Sequence, residues 1–179
     1  MTVATLAAGA YDTISSVYDA MFSDPHSLEE DRTLFDLIGY NGGSVLDVGC
    51  GTGLFLDHEM VAPSDYVGID PSAGMISRLK AKHPWATTYQ TTLEDFNTDR
   101  RFNWVVSLYC SVGYIPVDDL RRIETFLAPG GKMALVFPAP DYTPVIHSIF
   151  TGPIPDFYAH DPSSYGATHQ FGNYILATR

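Results

Sequence analysis

The feature that most constrains the fold is a glycine-rich turn that directly follows a short apolar segment. Residues 44–48 are predicted to form a buried strand, and Gly49, Gly51 and Gly53 follow it at alternate positions. Glycines in such a turn let the backbone bend sharply and approach a ligand closely, because no Cβ atom stands in the way. The next segment is predicted to begin a helix, whose first amide groups are available as hydrogen-bond donors. This order of elements is typical of nucleotide-binding α/β folds.

Two carboxylates accompany the turn. Asp47 stands just before the first glycine, and Asp70 ends a second apolar segment, residues 66–70. A carboxylate at the position of Asp70 can accept hydrogen bonds from the ribose hydroxyls of an adenosine. Asp70 therefore indicates adenosine without separating S-adenosylmethionine (SAM) from a nicotinamide dinucleotide. Asp47 favours SAM, because its negative charge would repel a pyrophosphate but attract the amino group of a methionine.

Apolar, β-rich segments alternate with helix-like segments through the middle of the chain. Further strands are predicted over residues 86–91, 103–109 and 132–137, and helices over residues 54–60, 71–82 and 118–127. Outside this region, helices are predicted over residues 10–22, 27–38 and 145–150. Residues 168–178 are predicted to form a hairpin that turns at Gly172 and Asn173. A Gly–Asn pair between two strand-like segments is a signal for a hairpin turn.

Near-continuous apolar strands joined by helices indicate a parallel sheet with both faces covered. The sequence therefore predicts an α/β fold: a doubly wound, Rossmann-like sandwich on a mostly parallel seven-stranded sheet with an antiparallel C-terminal hairpin. We expect a single domain over residues 1–179, an ordinary size for one core. Its parts are expected to be N-terminal helices over the site (1–40), a SAM-binding core (41–137), and a short lid with the terminal hairpin (138–179).

The net charge of −11 bears on the partners. Nucleic-acid-binding proteins usually collect basic residues on one face, whereas the ten lysines and arginines here are scattered. We therefore expect no nucleic acid, and a neutral or cationic small-molecule partner. No apolar run approaches the roughly 20 residues that span a membrane, and one of the two cysteines, Cys50, lies in the glycine-rich turn. These features lead us to expect a cytoplasmic protein without a disulfide framework.

Three segments resemble motifs of the class I SAM-dependent methyltransferase family. Residues 45–53 are similar to the first motif of that family, residues 68–75 to its second-strand motif, and residues 127–132 to the turn before its fifth strand. The resemblance covers roughly residues 40–137. It implies the fold predicted above, SAM as the methyl donor and S-adenosylhomocysteine (SAH) as the product. Two tyrosines near the N-terminus, Tyr11 and Tyr18, lie in a segment that resembles an entry segment common in this family. In that family segment, a tyrosine approaches the SAM site.

The resemblance also implies a role for each matching position. The residues expected to bind the cofactor are Asp47, Gly49, Cys50 and Gly51 at its methionine and ribose, Asp70 at the ribose, Pro71 and Met75 near the adenine, the backbone amide of Leu93 at the adenine, and Tyr109 with Cys110 at the sulfonium. The family often has an acid where this chain has Thr92. Thr92 is still expected to accept a hydrogen bond from the adenine, with Glu94 or Asp95 as alternatives if the alignment is shifted.

Methyl transfer from a sulfonium requires alignment of the acceptor and exclusion of water, but no nucleophilic residue of the protein. We expect Tyr11, Tyr18 and Tyr109, together with Tyr114, to position the reacting groups, because aromatic faces suit a positively charged methyl group. Each tyrosine taken alone is as well explained by packing. The candidates for a general base are His147, His160 and His169, while His26, His58 and His83 are expected to be solvated. The sequence contains no metal-ligand spacing of the HExxH or CxxC type.

The expected function is transfer of a methyl group from SAM to a small-molecule acceptor. Residues 108–115 are similar to amino-sugar N-methyltransferases and to glycine-methylating relatives, which favours an amine as the acceptor. Two alternatives stay open: a protein methyltransferase, and a SAM-binding regulatory module without catalytic activity. A nicotinamide-dependent dehydrogenase is disfavoured by the glycine spacing and by Asp47. The sequence makes no prediction of the oligomeric state.

Overall fold

Short apolar segments form a seven-stranded sheet in the computed structural model, which describes residues 2–150 and 155–179 apart from the side chain of His147. The strands are β1 Val45–Val48, β2 Tyr66–Asp70, β3 Thr87–Gln90, β4 Phe102–Ser107, β5 Leu127–Pro138, β6 Ala167–Phe171 and β7 Tyr174–Thr178. Their order is β3-β2-β1-β4-β5-β7-β6. Every residue of β1 and β2 is buried, because helices cover both faces of a parallel sheet.

Strands β1 to β5 pair with one another in parallel, whereas β7 is antiparallel to both β5 and β6. The predicted α/β fold class, with its mostly parallel sheet and C-terminal hairpin, is therefore confirmed. The hairpin turns at Gly172 and Asn173, as predicted, and Gly172 has a φ of +50°. The strand order reverses between β1 and β4, which is the point where ligands bind in sheets of this type.

The helices are α1 Val3–Ile14, α2 Tyr18–Met21, α3 Pro25–Ile38, α4 Leu54–His58, α5 Ala73–Lys82 and α6 Val117–Arg121, with 3-10 turns at Tyr109–Tyr114, Arg122–Phe126, Val145–Ser148 and Pro162–Tyr165. The ends of α3 are well specified. The side chain of Asp24 accepts hydrogen bonds from the amides of His26 and Ser27, and Gly39 ends the helix at a φ of +60°. These are the usual capping devices of an α-helix.

The predicted helix over residues 10–22 is wrong in its bounds, since two helices, α1 and α2, occupy this region. The first begins at Val3, where the side chain of Thr2 accepts a hydrogen bond from the amide of Thr5. It ends at Ile14, and the Arg78 guanidinium donates to the carbonyls of Ser15 and Ser16 just beyond that end. Single-sequence patterns do not contain this contact, which spans more than 60 residues.

Three other predicted elements differ in type or length. The strand expected over 103–109 ends at Ser107, and a 3-10 helix follows it. The helix expected over 118–127 is α6 followed by a 3-10 turn, and β5 already begins at Leu127. A register shift lets this early part of β5 pair with Phe102. The short helix expected over 145–150 is a 3-10 turn at Val145–Ser148, and part of the predicted lid, residues 151–154, lies outside the described residues.

None of the helices in the described ranges is long and apolar enough to cross a membrane. Within the same ranges there is no group of three or more His, Cys, Asp or Glu side chains placed to hold a metal ion.

Candidate active site

A cavity of about 660 Å³ opens at the carboxyl ends of β1, β2 and β4, beneath α1, α2 and α3. Its size falls in the range of small-molecule sites, which is about 300–1,000 Å³. The structure brings every predicted site residue to the wall of this one cavity: Tyr11, Tyr18, Asp47, Gly49, Cys50, Gly51, Asp70, Pro71, Met75, Thr92, Leu93 and Tyr109. Glu94 and Asp95, the alternatives to Thr92, are not among its lining residues.

The glycine-rich turn has a conformation that requires its glycines. Gly49, Gly51 and Gly53 have φ values of +71°, +51° and +99°, where side chains other than glycine are strained. A Cβ atom on Gly49 would also lie 2.4 Å from Oγ of Ser111. The amides of Gly49 and Cys50 both donate to the carbonyl of Ile69, which ties the turn to the end of β2.

Asp70 links the second strand to this turn. Its carboxylate accepts hydrogen bonds from the amide of Gly51 at 2.9 Å and from the amide of Ser72 at 2.8 Å. Burial raises the pKa of Asp70 to about 6, against the lowering effect of those two amides. Each carboxylate oxygen has more than one acceptor position, so the cavity side of Asp70 can still accept hydrogen bonds from a ligand.

Asp47 is the more deeply buried acid, with only 2% of its surface exposed. The hydroxyl of Tyr66 donates to its carboxylate at 2.9 Å. Burial raises the pKa of Asp47 to about 7, and the hydrogen bond from Tyr66 opposes that rise. A positive group in the cavity would therefore stabilise Asp47 in its ionised form.

The N-terminal helices are fastened over the cavity by polar contacts. The carboxylate of Asp12 accepts hydrogen bonds from the hydroxyl of Ser72 at 2.6 Å and from the amide of Gly74 at 2.8 Å. Asp19 accepts a hydrogen bond from Thr52 at 2.5 Å and lies 3.2 Å from Nζ of Lys82. These contacts hold α1 and α2 against α5 and the glycine-rich turn.

An aromatic cluster forms one side of the cavity. The ring of Tyr11 lies 6.1 Å from that of Tyr18, 6.0 Å from that of Tyr114 and 5.2 Å from that of Phe150. The hydroxyl oxygens of Tyr11 and Tyr114 are 3.4 Å apart. Burial raises the pKa of Tyr11 and of Tyr18, so both phenols stay neutral at physiological pH.

Tyr109 has the strained backbone of the site. Its φ of +47° is the only positive value among the non-glycine residues that the structure describes, and such outliers concentrate at functional sites. Its hydroxyl donates to Oδ1 of Asp31 at 2.5 Å, and its ring packs edge-on against Tyr174 with centroids 5.0 Å apart. The pKa of Tyr109 is raised by burial and by the adjacent Asp31 carboxylate.

Asp31 is a cavity residue that the motif analysis missed. The buried positions of α3 are Asp31, Leu34, Phe35 and Ile38, which is the spacing of an apolar helix face. An acid at such a position is seldom buried without a partner. That anomaly in the helical pattern is the signal by which the sequence indicates Asp31.

The histidines are arranged differently from expectation. His160 is not among the residues that line the cavity, although its Nε2 lies 3.1 Å from the carbonyl oxygen of Ile115, which does line it. His169 is exposed on β6. The side chain of His147 lies outside the described residues. His58 is exposed, as expected, although its ring also stacks on Phe35 at 4.4 Å and lines the cavity. His83 is only partly exposed, and its Nε2 lies 2.8 Å from the carboxylate of Asp57.

Comparison with known proteins agrees with this geometry. A model of a methyltransferase domain matches residues 45–131. The aklanonic acid methyltransferase DauC of Streptomyces sp. (strain C5) is 31% identical over 172 residues, covering 82% of this chain and 76% of the relative. The dTDP-3-amino-3,4,6-trideoxy-alpha-D-glucopyranose N,N-dimethyltransferase of Streptomyces venezuelae is 34% identical over 123 residues, covering 66% of this chain and 49% of the relative. The chain thus spans about half the length of that second relative.

Solved structures agree on the fold. A DhpI–SAH complex superposes with a TM-score of 0.74 at 20% identity, covering 97% of this chain and 94% of the other. DesVI of Streptomyces venezuelae superposes with a TM-score of 0.56 at 27% identity, covering 72% of this chain and 59% of the other. Fold and cavity together define an α/β protein with a ligand site at the carboxyl edge of its sheet. The match along most of DauC identifies the family, and the chain belongs to the class I SAM-dependent methyltransferases.

Proposed function

We propose that the protein is an enzyme that transfers a methyl group from SAM to a small-molecule acceptor and releases SAH. The observation that carries the proposal is the hydrogen bond between the Gly51 amide and the Asp70 carboxylate. It brings the glycine-rich turn and the strand-end acid to the wall of one cavity, and nucleotide-binding folds of this type use such an acid to hold the ribose of an adenosine. Membership of the methyltransferase family supports SAM over other adenosine ligands.

The residues of the cavity fit SAM as a ligand. Asp70 offers acceptor positions to ribose hydroxyls, and Asp47 offers a negative charge to an amino group. Pro71, Met75 and Leu93 supply an apolar wall for an adenine ring. In this arrangement residues 41–137 hold SAM, residues 1–40 cover it, and residues 138–179 supply a short lid and the hairpin.

The bound SAM supplies an activated methyl group and a good leaving group. The task of the chain is to align an acceptor with that group and to keep water out. Tyr11, Tyr18 and Tyr109 line the cavity and remain protonated. Their rings therefore present a neutral, aromatic wall to a positive methyl group, which such faces attract.

The acceptor is proposed to be a small molecule, and an amine is favoured. Relatives of known name act on amino sugars in Streptomyces venezuelae and Streptomyces fradiae. Away from the glycine-rich turn, the charged residues that line the cavity are mostly acids, among them Asp19, Asp24, Glu30 and Asp31. This charge suits a cationic acceptor and disfavours nucleic acid.

We also propose that the enzyme works in the cytoplasm. Its two cysteines, Cys50 and Cys110, are buried and unpaired, and thiols persist in a reducing compartment. Fractionation of cells that express the tagged protein tests this proposal. Recovery with cytoplasmic markers supports it, whereas recovery outside the cytoplasm contradicts it.

The catalytic proposal is tested by incubating the protein with SAM and a panel of small amines, alcohols and carboxylic acids, and by measuring SAH. Acceptor-dependent SAH formation supports an enzyme that acts on small molecules. Tight SAH binding without turnover across the panel contradicts it in favour of a regulatory module. Methyl label that appears only on a co-purified protein contradicts it in favour of a protein methyltransferase.

A further inference from the structure

The strongest unexplained feature of the cavity is the buried carboxylate of Asp31. It lies on α3, has 7% of its surface exposed and lines the cavity. Burying a carboxylate in its ionised form is costly unless a hydrogen bond or a positive charge compensates it. A partner for the Asp31 carboxylate must therefore come from the protein itself or from a bound ligand.

The protein supplies a hydrogen bond to Asp31 but little positive charge. Tyr109 donates to Oδ1 at 2.5 Å, and Nε2 of His58 lies 3.8 Å from Oδ2. The other charged groups nearby, Glu30 beside it in α3 and Asp57 in α4, are acids. Burial and Asp57 raise the pKa of Asp31, while Tyr109 and His58 lower it.

The one lysine that lines the cavity is held elsewhere. Nζ of Lys82 lies 2.5 Å from Asp57 and 3.2 Å from Asp19. No lysine or arginine contact with Asp31 occurs among the ion pairs of the described residues. Tyr109 thus orients the carboxylate of Asp31 at the cavity wall, and no lysine or arginine of the described residues neutralises the charge of that carboxylate.

We propose that Asp31, oriented by Tyr109, is the binding site for the ammonium group of the methyl acceptor. This inference rests on the proposed function and deepens it, because it makes a cationic amine the substrate class and assigns a residue to its recognition. The strained backbone of Tyr109 has a role in this arrangement. Tyr109 has a φ of +47° two residues after the end of β4, and its phenol reaches Asp31 on α3.

The test uses three probes of nearly equal shape: cyclohexylamine, cyclohexanol and cyclohexanecarboxylate. The full chain is first titrated with SAH, and each probe is then titrated into the SAH-saturated protein at pH 7 and followed by ligand-observed NMR. The variants are Asp31→Asn, which keeps an acceptor for Tyr109, and Tyr109→Phe, which keeps the carboxylate. Asp36→Asn is the matched control, because Asp36 is an exposed acid of the same helix and does not line the cavity.

We expect the wild type and Asp36→Asn to bind the amine about tenfold or more tightly than the alcohol, with the carboxylate weakest, since a charged hydrogen bond is of this strength. Asp31→Asn is expected to abolish the preference, and Tyr109→Phe to reduce it without abolishing it. Equal binding of amine and alcohol to the wild type, or an unchanged preference in Asp31→Asn, would overturn the inference while SAH binding still stands. Failure of SAH to bind would instead contradict the proposed function. A melting temperature of Asp31→Asn close to that of the control separates loss of recognition from loss of folding.

Discussion

The amide of Gly51 donates a hydrogen bond to Oδ2 of Asp70 at 2.9 Å. This bond joins two residues that lie on separate strand ends, 19 positions apart in the sequence. It fixes the carboxylate at the cavity wall and fixes the turn in a conformation that only glycines adopt easily. The adenosine site we propose is therefore formed before any ligand binds.

Asp47→Asn is expected to stabilise the ligand-free protein while weakening SAM binding. Burial raises the pKa of Asp47 to about 7, so the folded protein retains a proton that the unfolded chain loses near pH 4. The stability that comes from this proton is complete below about pH 4 and is lost as the pH rises through 7. At pH 8 the amide avoids burial of a charge, and we expect a gain of about 4 kcal/mol in the free energy of unfolding, since the pKa is raised from 3.8 to about 7.

Urea unfolding of the ligand-free protein at pH 5 and pH 8 measures this effect. The gain from Asp47→Asn should be largest at pH 8 and about a third as large at pH 5, where the unfolded chain has already lost its proton but the folded protein still holds one. Asp36→Asn provides the control, because an exposed carboxyl is fully solvated in both states. A loss of stability at pH 8, or an equal change at both pH values, would show that burial of the Asp47 charge is not the dominant effect.

Gly49→Ala is expected to be more damaging than Gly42→Ala. Both glycines have positive φ values, +71° and +98°, so both substitutions introduce backbone strain of about 1–2 kcal/mol. Only the Cβ atom on Gly49 meets a neighbour, Oγ of Ser111 at 2.4 Å, whereas none lies within 4 Å at Gly42. Overpacking of this kind costs roughly 1–3 kcal/mol more. Thermal unfolding together with SAH titration should show the larger loss of both stability and affinity at Gly49, and equal effects would contradict the close-approach argument.

Asp12→Ala is expected to loosen α1 from the rest of the molecule. The variant loses the hydrogen bonds from Ser72 and Gly74 that fasten this helix to the start of α5. Hydrogen exchange of the α1 amides should quicken, while the amides of β1 and β4 remain protected. Thr13→Ala is the control, because Thr13 bonds only to Ala10 within the same helix. Unchanged exchange in α1 would mean that apolar packing alone holds it.

Tyr11→Phe is expected to lower kcat by about tenfold, with the SAH dissociation constant changed by no more than about twofold. The hydroxyl lies 3.4 Å from that of Tyr114 in the aromatic cluster, so its removal disturbs alignment rather than adenosine binding. Tyr89→Phe is the control, since Tyr89 is exposed and does not line the cavity. Turnover of the acceptor found in the panel is the measurement. Unchanged turnover in both Tyr11→Phe and Tyr18→Phe would contradict a positioning role for the N-terminal helices.

The parts of the fold that the sequence predicts well are those that local patterns decide. Residues 66–70 are a continuous apolar run and form β2, and the Gly172–Asn173 pair turns the hairpin as expected. The helix break after Ile14 was not predicted in this way, and the contacts made there by Arg78, far along the chain, are not visible in local patterns. The early start of β5 has a similar cause, since its register shift depends on pairing with β4.

The same distinction applies to the site. The glycine-rich turn and Asp70 belong to motifs, so the sequence predicted them as parts of one site, and both line the cavity. Asp31 belongs to no motif, and its partner Tyr109 is 78 positions away. In the sequence, Asp31 is notable only because it occupies a position on the otherwise apolar face of α3. The side of the cavity where we propose that the acceptor binds is therefore a tertiary feature, formed by α3, α4 and the turn after β4.

The central claim is the adenosine site at Asp70, and calorimetric titration with SAH at pH 8 tests it most directly. The account predicts binding with a dissociation constant on the order of micromolar for the wild type. Asp70→Ala should weaken it by about a hundredfold, because the carboxylate would no longer accept charged hydrogen bonds from a ligand. Asp70→Asn, which keeps an acceptor for the Gly51 amide, guards against a folding defect. Absence of SAH binding to the folded wild type, or equal affinity in both Asp70 variants and the wild type, would contradict the account.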